Sequence, residues 1–355
     1  MKRTFKTVLS VLLASLLLSA TCVGCAASAN DTTTKAATET TVAAAATTAA
    51  AITTATSGSK EIAFLPMTLD NEFYVSMKLG AEEACTKLGY TLVAQSGTSH
   101  GDAAEQLQLM ETMIQKGVAA ILITPSSSTG IISGIKKAND ANIPVIILDT
   151  EIDRDALAKE GAFTVAYLGS DNYKGGQAAG EYAKKVSESE GKTLNVVILT
   201  GVPGQENMEL RKQGFIDAAG DTVTVIATQN ADSDFAKGND VMTNLLTSND
   251  NIDFVYACND NMALGALRAC QAAGKTDIKI IGFDGISDAL QSIKDGGLIG
   301  TVAQKPADMG LKGVELADQY LKGQKVVETT YTDVNVIDAT TVNDFMAYVQ
   351  KYSGK

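Results

Sequence analysis

The stretch Phe254-Val255-Tyr256-Ala257-Cys258-Asn259-Asp260-Asn261-Met262-Ala263-Leu264-Gly265-Ala266-Leu267 decides the fold. A short apolar run ends in three polar residues, and an apolar-periodic, helix-forming run follows at once. A strand that delivers polar side chains at its carboxyl end and turns directly into a helix is the repeating step of a parallel sheet with helices on its faces. Ligands of such sheets sit outside the carboxyl ends of the strands, so Asn259 and Asp260 stand where a ligand would. A polar residue there can equally cap the next helix. What decides is whether other strands end in the same way.

Outward from this stretch the alternation holds over more than two hundred residues. Strands are predicted at 61–65, 90–95, 119–124, 144–148, 165–169, 195–199, 222–227, 254–257 and 279–283. Helices are predicted at 73–87, 102–116, 130–139, 175–187, 206–219, 235–248, 263–273 and 288–295. From Val302 the pattern changes to a strand, Pro306, a helix to Leu321 and an extended segment at 331–336. Strict β-α-β-α order means parallel sheets covered on both faces, and two successive sets of strands imply an α/β protein with two similar doubly wound lobes.

The strand ends share a chemistry. Asp70, Asn71, Glu72, Phe73 and Tyr74 follow the first strand and Asp149 follows the fourth. Asn259 and Asp284 end two later strands, Gln304 another, and Arg211 lies in the helix after Gly204. Carboxylates, amides, a guanidinium and two aromatics suit a neutral polyhydroxylated ligand. Each hydroxyl both donates and accepts, so such groups can pair it fully, while aromatic faces cover C–H surfaces. Taken singly each has a plainer role: Asp149 as a helix cap, Arg211 as a surface residue, and Phe73 and Tyr74 as neighbours of which one faces in and one out. Asp260 is expected to cap the helix beginning near Met262 rather than to touch ligand.

Net charge is −12 over 355 residues, against the clustered cations that nucleic acid requires. The N-terminus carries Lys2, Arg3 and Lys6 and then an apolar run, 8–18, too short to span a bilayer comfortably. It is expected to be an export signal. Val23-Gly24-Cys25 resembles a bacterial lipobox, although Cys22 occupies a position usually aliphatic, and implies lipidation at Cys25 after removal of the signal. Residues 26–58 are almost all Ala, Thr and Ser, too little apolar surface to offset ordering entropy, and form an expected tether. Cys85, Cys258 and Cys270 lack metal-ligand spacing. Free buried thiols are expected, and no metal or cofactor. No G-x-S-x-G, H-E-x-x-H or G-x-x-x-x-G-K stands in the right setting, and an Asp149–Asp284 glycosidase pair is the weakest of the options.

Over about residues 60–340 the chain resembles the ribose-type periplasmic sugar-binding proteins, the substrate receptors of bacterial ABC sugar importers. The resemblance rests on Asn71-Glu72-Phe73-Tyr74, Asn142-Ile143-Pro144-Val145-Ile146-Ile147-Leu148-Asp149, Gly169-Ser170-Asp171-Asn172, Asn259-Asp260-Asn261-Met262-Ala263-Leu264-Gly265-Ala266, Gly282-Phe283-Asp284-Gly285 and Val302-Ala303-Gln304-Lys305-Pro306. It implies the type I periplasmic binding protein fold: lobes of 59–168 plus 305–333 and 169–304 plus 334–355, joined by a three-segment hinge and closing on sugar. It implies ligand contacts at Asn71, Phe73, Tyr74, Asp149, Arg211, Asn259, Asp284 and Gln304. Thr150 and Ser233 are expected ligand contacts as well; Thr150 stands where ribose members carry Arg, and Ser233 where they carry an aromatic, so another pentose, hexose, ketose or polyol is expected. The implied function is an extracytoplasmic, lipid-anchored or periplasmic, monomeric receptor that hands a monosaccharide or polyol to a membrane permease. The alternative is a sensing receptor of the same fold serving a chemoreceptor or histidine kinase. A sugar-responsive repressor shares the core, but here an export signal and tether replace the helix-turn-helix.

Overall fold

The computed structural model describes residues 58–353. The expected signal peptide, Cys25 and all of the expected tether except Gly58 lie outside the described residues. The strands are β1 (Glu61–Leu65), β2 (Thr91–Ala94), β3 (Ala120–Ile123), β4 (Val145–Leu148), β5 (Ala166–Ser170), β6 (Leu194–Thr200), β7 (Val223–Asn230), β8 (Phe254–Ala257), β9 (Lys279–Asp284), β10 (Gly300–Ala303), β11 (Thr329–Thr332) and β12 (Asn335–Asp338). The helices are α1 (Glu72–Leu88), α2 (Ala103–Lys116), α3 (Ile132–Asp140), α4 (Arg154–Lys159), α5 (Asn172–Glu190), α6 (Glu206–Ala219), α7 (Phe235–Ser248), α8 (Asp260–Ala272), α9 (Ser287–Lys294), α10 (Pro306–Leu321) and α11 (Val342–Tyr352).

Two six-stranded sheets result. One runs β11-β5-β4-β3-β1-β2 and the other β12-β10-β9-β8-β6-β7. All pairings are parallel except β10 with β12. The chain passes between sheets three times: after β5, after β10 and between β11 and β12. The expected α/β architecture of two doubly wound lobes is therefore observed. The single extended segment expected at 331–336 is in fact two strands in different sheets. Short α4 and the terminal α11 were not anticipated; α4 is a six-residue turn of helix, shorter than a periodicity window resolves.

Alternation along β1 shows why the strands read as continuous apolar runs. Ile62 and Phe64 face a core shared with α1 and α10, while Ala63 and Leu65 face one shared with α2 and α3. A parallel sheet buried on both faces needs apolar residues at every position. Helix α10 follows a strand of the second sheet yet packs on the first lobe. There it crosses α1 at backbone distance: a Cβ on Gly80 would lie 1.9 Å from the Ala307 carbonyl oxygen, and one on Gly310 1.9 Å from that of Met77. This contact brings the first turn of α1, with Asn71, Phe73 and Tyr74, to the end of the sheet that faces the second lobe.

Candidate functional site

The chain at the end of β4 turns sharply. Asp149 takes a left-handed backbone (φ 64°), its N–H donates to the Leu168 carbonyl (2.9 Å), and its own carbonyl accepts from the Tyr167 hydroxyl (2.8 Å). At the end of β9, Asp284 has φ 124° and Gly285 φ 80°, while the Gln304 N–H donates to the Asp284 carbonyl (2.9 Å). Positive φ at a non-glycine residue costs about 1–3 kcal/mol and persists only where neighbours impose it. Here that strain aims two carboxylates out of their sheets.

Asn259, not Asp260 as expected, caps the next helix, and it also lines the cavity. Asn259 is the N-cap of α8: its Oδ1 accepts from the Met262 N–H (2.9 Å), and its Nδ2 donates to the Ser233 carbonyl (3.1 Å). Asp260 is wholly buried and is not the cap. Its Oδ2 accepts from the N–H groups of Gly285 (2.7 Å) and Ile286 (3.0 Å), and its Oδ1 from the Thr301 hydroxyl (2.7 Å). It thus ties α8 to the turn that carries Asp284 and to β10. One carboxylate meeting three donors on neighbouring strand ends is worth more there than as a cap.

Arg211 is buried, not on the surface. Helices α5 and α6 meet backbone to backbone: a Cβ on Gly176 would lie 2.1 Å from the Arg211 carbonyl oxygen, and one on Gly214 2.1 Å from that of Tyr173. From this seat Arg211 Nε donates to Asn172 Oδ1 (2.9 Å) and Nη1 to the Cys258 carbonyl (2.8 Å). Nη1 also pairs with Asp284 Oδ1 (3.4 Å), and the guanidinium carbon lies 3.8 Å from the Phe283 ring centroid. Gln304 Nε2 donates to the same Asp284 oxygen (2.7 Å).

Across the gap, Asn71 caps α1 through Oδ1, which accepts from the Phe73 N–H (3.0 Å). Phe73 and Tyr74 are both buried, at 4% and 5% exposure, with rings edge to face at 5.3 Å. The expectation that only one faces inward fails because the first turn of α1 is covered twice, by its own sheet and by the opposite lobe.

Asn71, Phe73, Tyr74, Asp149, Arg211, Ser233, Asn259, Asp284 and Gln304 line one narrow cavity between the lobes, of about 20 Å³. Thr150 does not line it; its hydroxyl supports Asp149 Oδ2 from behind (3.2 Å). His100, Gln205, Asn207 and Met208 complete the wall and were not singled out as site residues in the sequence. The lobes touch at its border, where Gln205 Nε2 donates to the His100 carbonyl (3.0 Å), and again where Glu72 accepts from the N–H and hydroxyl of Ser287 (3.1 and 2.5 Å).

Two features define what this cavity can hold. First, unmet hydrogen bonding concentrates in it. Among the described residues eight buried side-chain atoms have no partner, and four of them belong to its wall: His100 Nε2, Asp149 Oδ1, Ser233 Oγ and Gln304 Oε1. Each such group costs about 1–3 kcal/mol until something pairs with it. Second, acid outweighs base. Burial raises the Asp149 carboxyl, against Arg211 and the Thr150 hydroxyl. Burial raises Asp284 well above the usual range, against Arg211, with Asp260 and Asp149 adding to the rise. Burial likewise raises Asp260, against its Thr301 and backbone donors. It holds the His100 imidazole below its ordinary pKa, against Asp234 and Asp70. One guanidinium therefore serves three buried carboxylates. No group of three or more His, Cys, Asp or Glu positioned for a metal occurs among the described residues, and Cys85, Cys258 and Cys270 are free and buried.

A two-lobed α/β receptor with its polar groups gathered between the lobes is the class defined here. Residues 62–325 match the periplasmic binding protein domain, and the chain belongs to that family. It is 40% identical over 277 residues to the ribose import binding protein of Escherichia coli (strain K12), covering 78% of this chain and 90% of that protein. It is 34% identical over 277 residues to the D-allose-binding periplasmic protein of the same strain, covering 77% and 88%. A solved structure of an ABC transporter periplasmic solute binding protein from Actinobacillus succinogenes 130z with bound D-allose superposes with a TM-score of 0.74 at 35% identity, covering 80% of this chain and 99% of that one. These relatives are transport binding proteins, not enzymes.

Proposed function

We propose that this protein is an extracytoplasmic receptor that binds a neutral monosaccharide or polyol between its lobes and delivers it to a membrane ABC importer. The observation that carries this is the set of unpartnered buried polar atoms on His100, Asp149, Ser233 and Gln304, facing one cavity beside two aromatic rings. A ring bearing several hydroxyls supplies both donors and acceptors to such groups. The excess of carboxylate over guanidinium disfavours sugar phosphates and sugar acids. In this proposal Asn71, Phe73, Tyr74, Asp149, Arg211, Ser233, Asn259, Asp284 and Gln304 contact the sugar, and Thr150 acts through Asp149.

At about 20 Å³ the cavity is far smaller than the about 300–1,000 Å³ of a whole small-molecule site, so in this proposal the lobes stand further apart around a bound sugar. The lobes would be 59–168 plus 305–333 and 169–304 plus 334–355, moving about the three inter-sheet connections. Sugar shifts the balance toward closure to the extent that it binds the closed cleft more tightly. Lipidation at Cys25, with 26–58 as tether, would keep the receptor at the membrane. A thermal-shift screen of pentoses, hexoses and polyols tests the proposal, because a ligand of the folded cleft raises the melting temperature. At least one neutral sugar should do so while ribose 5-phosphate does not; a screen in which no sugar or polyol shifts the transition rejects it.

A further inference from the structure

The inner cavity shares part of its wall with a neighbour. Asn71, His100 and Ser233 also line a second and larger cavity, of about 470 Å³, formed by the loops after β1, β2, β6 and β7 and by the first turns of α7 and α8. That is ample for a further small ring, since whole small-molecule sites run to about 300–1,000 Å³. We infer that this vestibule is a second saccharide subsite, so that the receptor accepts a glycoside whose first sugar occupies the inner cavity and whose glycosidically linked second sugar lies in the vestibule. The inference rests on the sugar-cleft proposal and extends its ligand class from free monosaccharides to glycosides.

Three observations carry it. Ser233 is 1% exposed, its Oγ has no partner, and it stands at the junction of the two cavities. Asp232 and Ser233 both hold left-handed backbone (φ 49° and 58°), and a Cβ on Gly201 would lie 2.4 Å from Ser233 Oγ. The junction is thus a built position where a hydroxyl or a glycosidic oxygen finds a donor. The vestibule also displays Phe235, one of few large apolar side chains that stand exposed, at 40%. Its ring is exposed but its backbone is fixed: Asp234 caps α7 through the Lys237 N–H (2.8 Å), and Gly265 admits the Phe235 carbonyl to a distance where a Cβ would sit 2.2 Å away. An exposed aromatic face on a fixed backbone, beside hydroxyls and carboxylates, is a surface on which a sugar ring stacks. Finally, the wall is acidic: Lys237 is engaged by Asp232, and Asp70 and Asp234 add carboxylates. That composition favours an uncharged sugar over a phosphate or nucleotide as the second group.

The test is calorimetry on the wild-type protein and on the Phe235→Ala and Arg211→Ala variants. The probes are D-ribose, D-allose and D-fucose and, for each, the methyl and glucosyl glycosides in both anomeric forms. The expected result is that at least one glucosyl glycoside binds within about tenfold of its free sugar. Phe235→Ala should weaken that glycoside by about fivefold or more while leaving the free sugar within about twofold, and Arg211→Ala should weaken both. If free sugar binds and every glucosyl glycoside is more than about tenfold weaker, or if Phe235→Ala affects free sugar and glycoside alike, the vestibule subsite is refuted and the sugar cleft stands. If none of the sugars or glycosides binds and no pentose, hexose or polyol shifts the melting temperature, the sugar cleft is refuted and the subsite with it; if another sugar does, its own glycosides replace these probes and the same outcomes decide.

Discussion

Removing one oxygen atom separates a group kept for ligand from one kept for the fold. Ser233 Oγ is buried and receives no hydrogen bond from the protein. It is also crowded, since Gly201 has no room for a Cβ beside it. Ser233→Ala deletes a hydroxyl whose unpaired burial costs about 1–3 kcal/mol, leaves the left-handed backbone no worse suited, and opens little cavity. The unliganded protein should therefore gain about 1 kcal/mol, a rise of about 2–4 °C in melting temperature for a chain of this size. Sugar affinity should fall, because the hydrogen bond made to that oxygen is worth about 1 kcal/mol, or about fivefold in Kd. Scanning calorimetry without sugar and titration calorimetry with it give the two signs. A variant that loses stability while binding sugar as before would refute the reasoning, because Ser233 would then be holding up the fold.

Four other outcomes follow from the same geometry. Gly176→Ala forces a Cβ to within 2.1 Å of the Arg211 carbonyl, so it should cost about 1–3 kcal/mol by overpacking and weaken sugar binding through the displaced guanidinium; denaturant unfolding and calorimetry read both. Thr301→Val removes a buried charge-assisted bond to Asp260, and about 1.5–3 kcal/mol of stability should go with it, as urea midpoints will show. Asp149 and Asp284 have raised folded-state pKa values, so the folded protein binds more protons than the unfolded chain between the ordinary carboxylate range and those raised values. Unliganded stability should accordingly rise as pH falls through that window, whereas sugar affinity, if hydroxyls donate to the ionised carboxylates, should fall; melting curves and titrations from pH 8 to pH 5 (about three units, centred near neutrality) separate the two. Burial raises the Cys85 and Cys258 thiols to about 12 and Cys270 to about 11, so none of the three should react with a thiol reagent until the chain is unfolded.

The elements legible in sequence are those in which period and length agree. Strands Glu61–Leu65 and Phe254–Ala257 and helices Glu206–Ala219 and Phe235–Ser248 lie where the apolar pattern puts them, because the strands are buried on both faces and read as unbroken apolar runs while the helices bury one face. The polar strand ends were legible as a set for the same reason: only a residue just past an apolar strand interrupts such a run. His100, Gln205 and Asn207 were not, since they reach the cavity from loops or a first helical turn, where no periodicity marks them and only lobe apposition brings them together. The cap role falling to Asn259 instead of Asp260 has a similar origin. Both occupy cap-like positions, and which one caps depends on the N–H groups of Gly285 and Ile286 in the turn after β9, a contact between segments 25 residues apart. Phe73 and Tyr74 show the limit of one-face helical reasoning where a helix start lies between two lobes.

The central claim is that a neutral sugar binds between the lobes on the Asp149, Arg211 and Asp284 cluster. Isothermal titration of the sugar giving the largest thermal shift, against wild type and Asp149→Ala, Arg211→Ala and Asp284→Ala, tests it most directly. The account predicts one site per chain in the wild type and a loss of about 1–3 kcal/mol, roughly fivefold to a hundredfold or more in Kd, in each variant. Unchanged affinity in all three folded variants would contradict it.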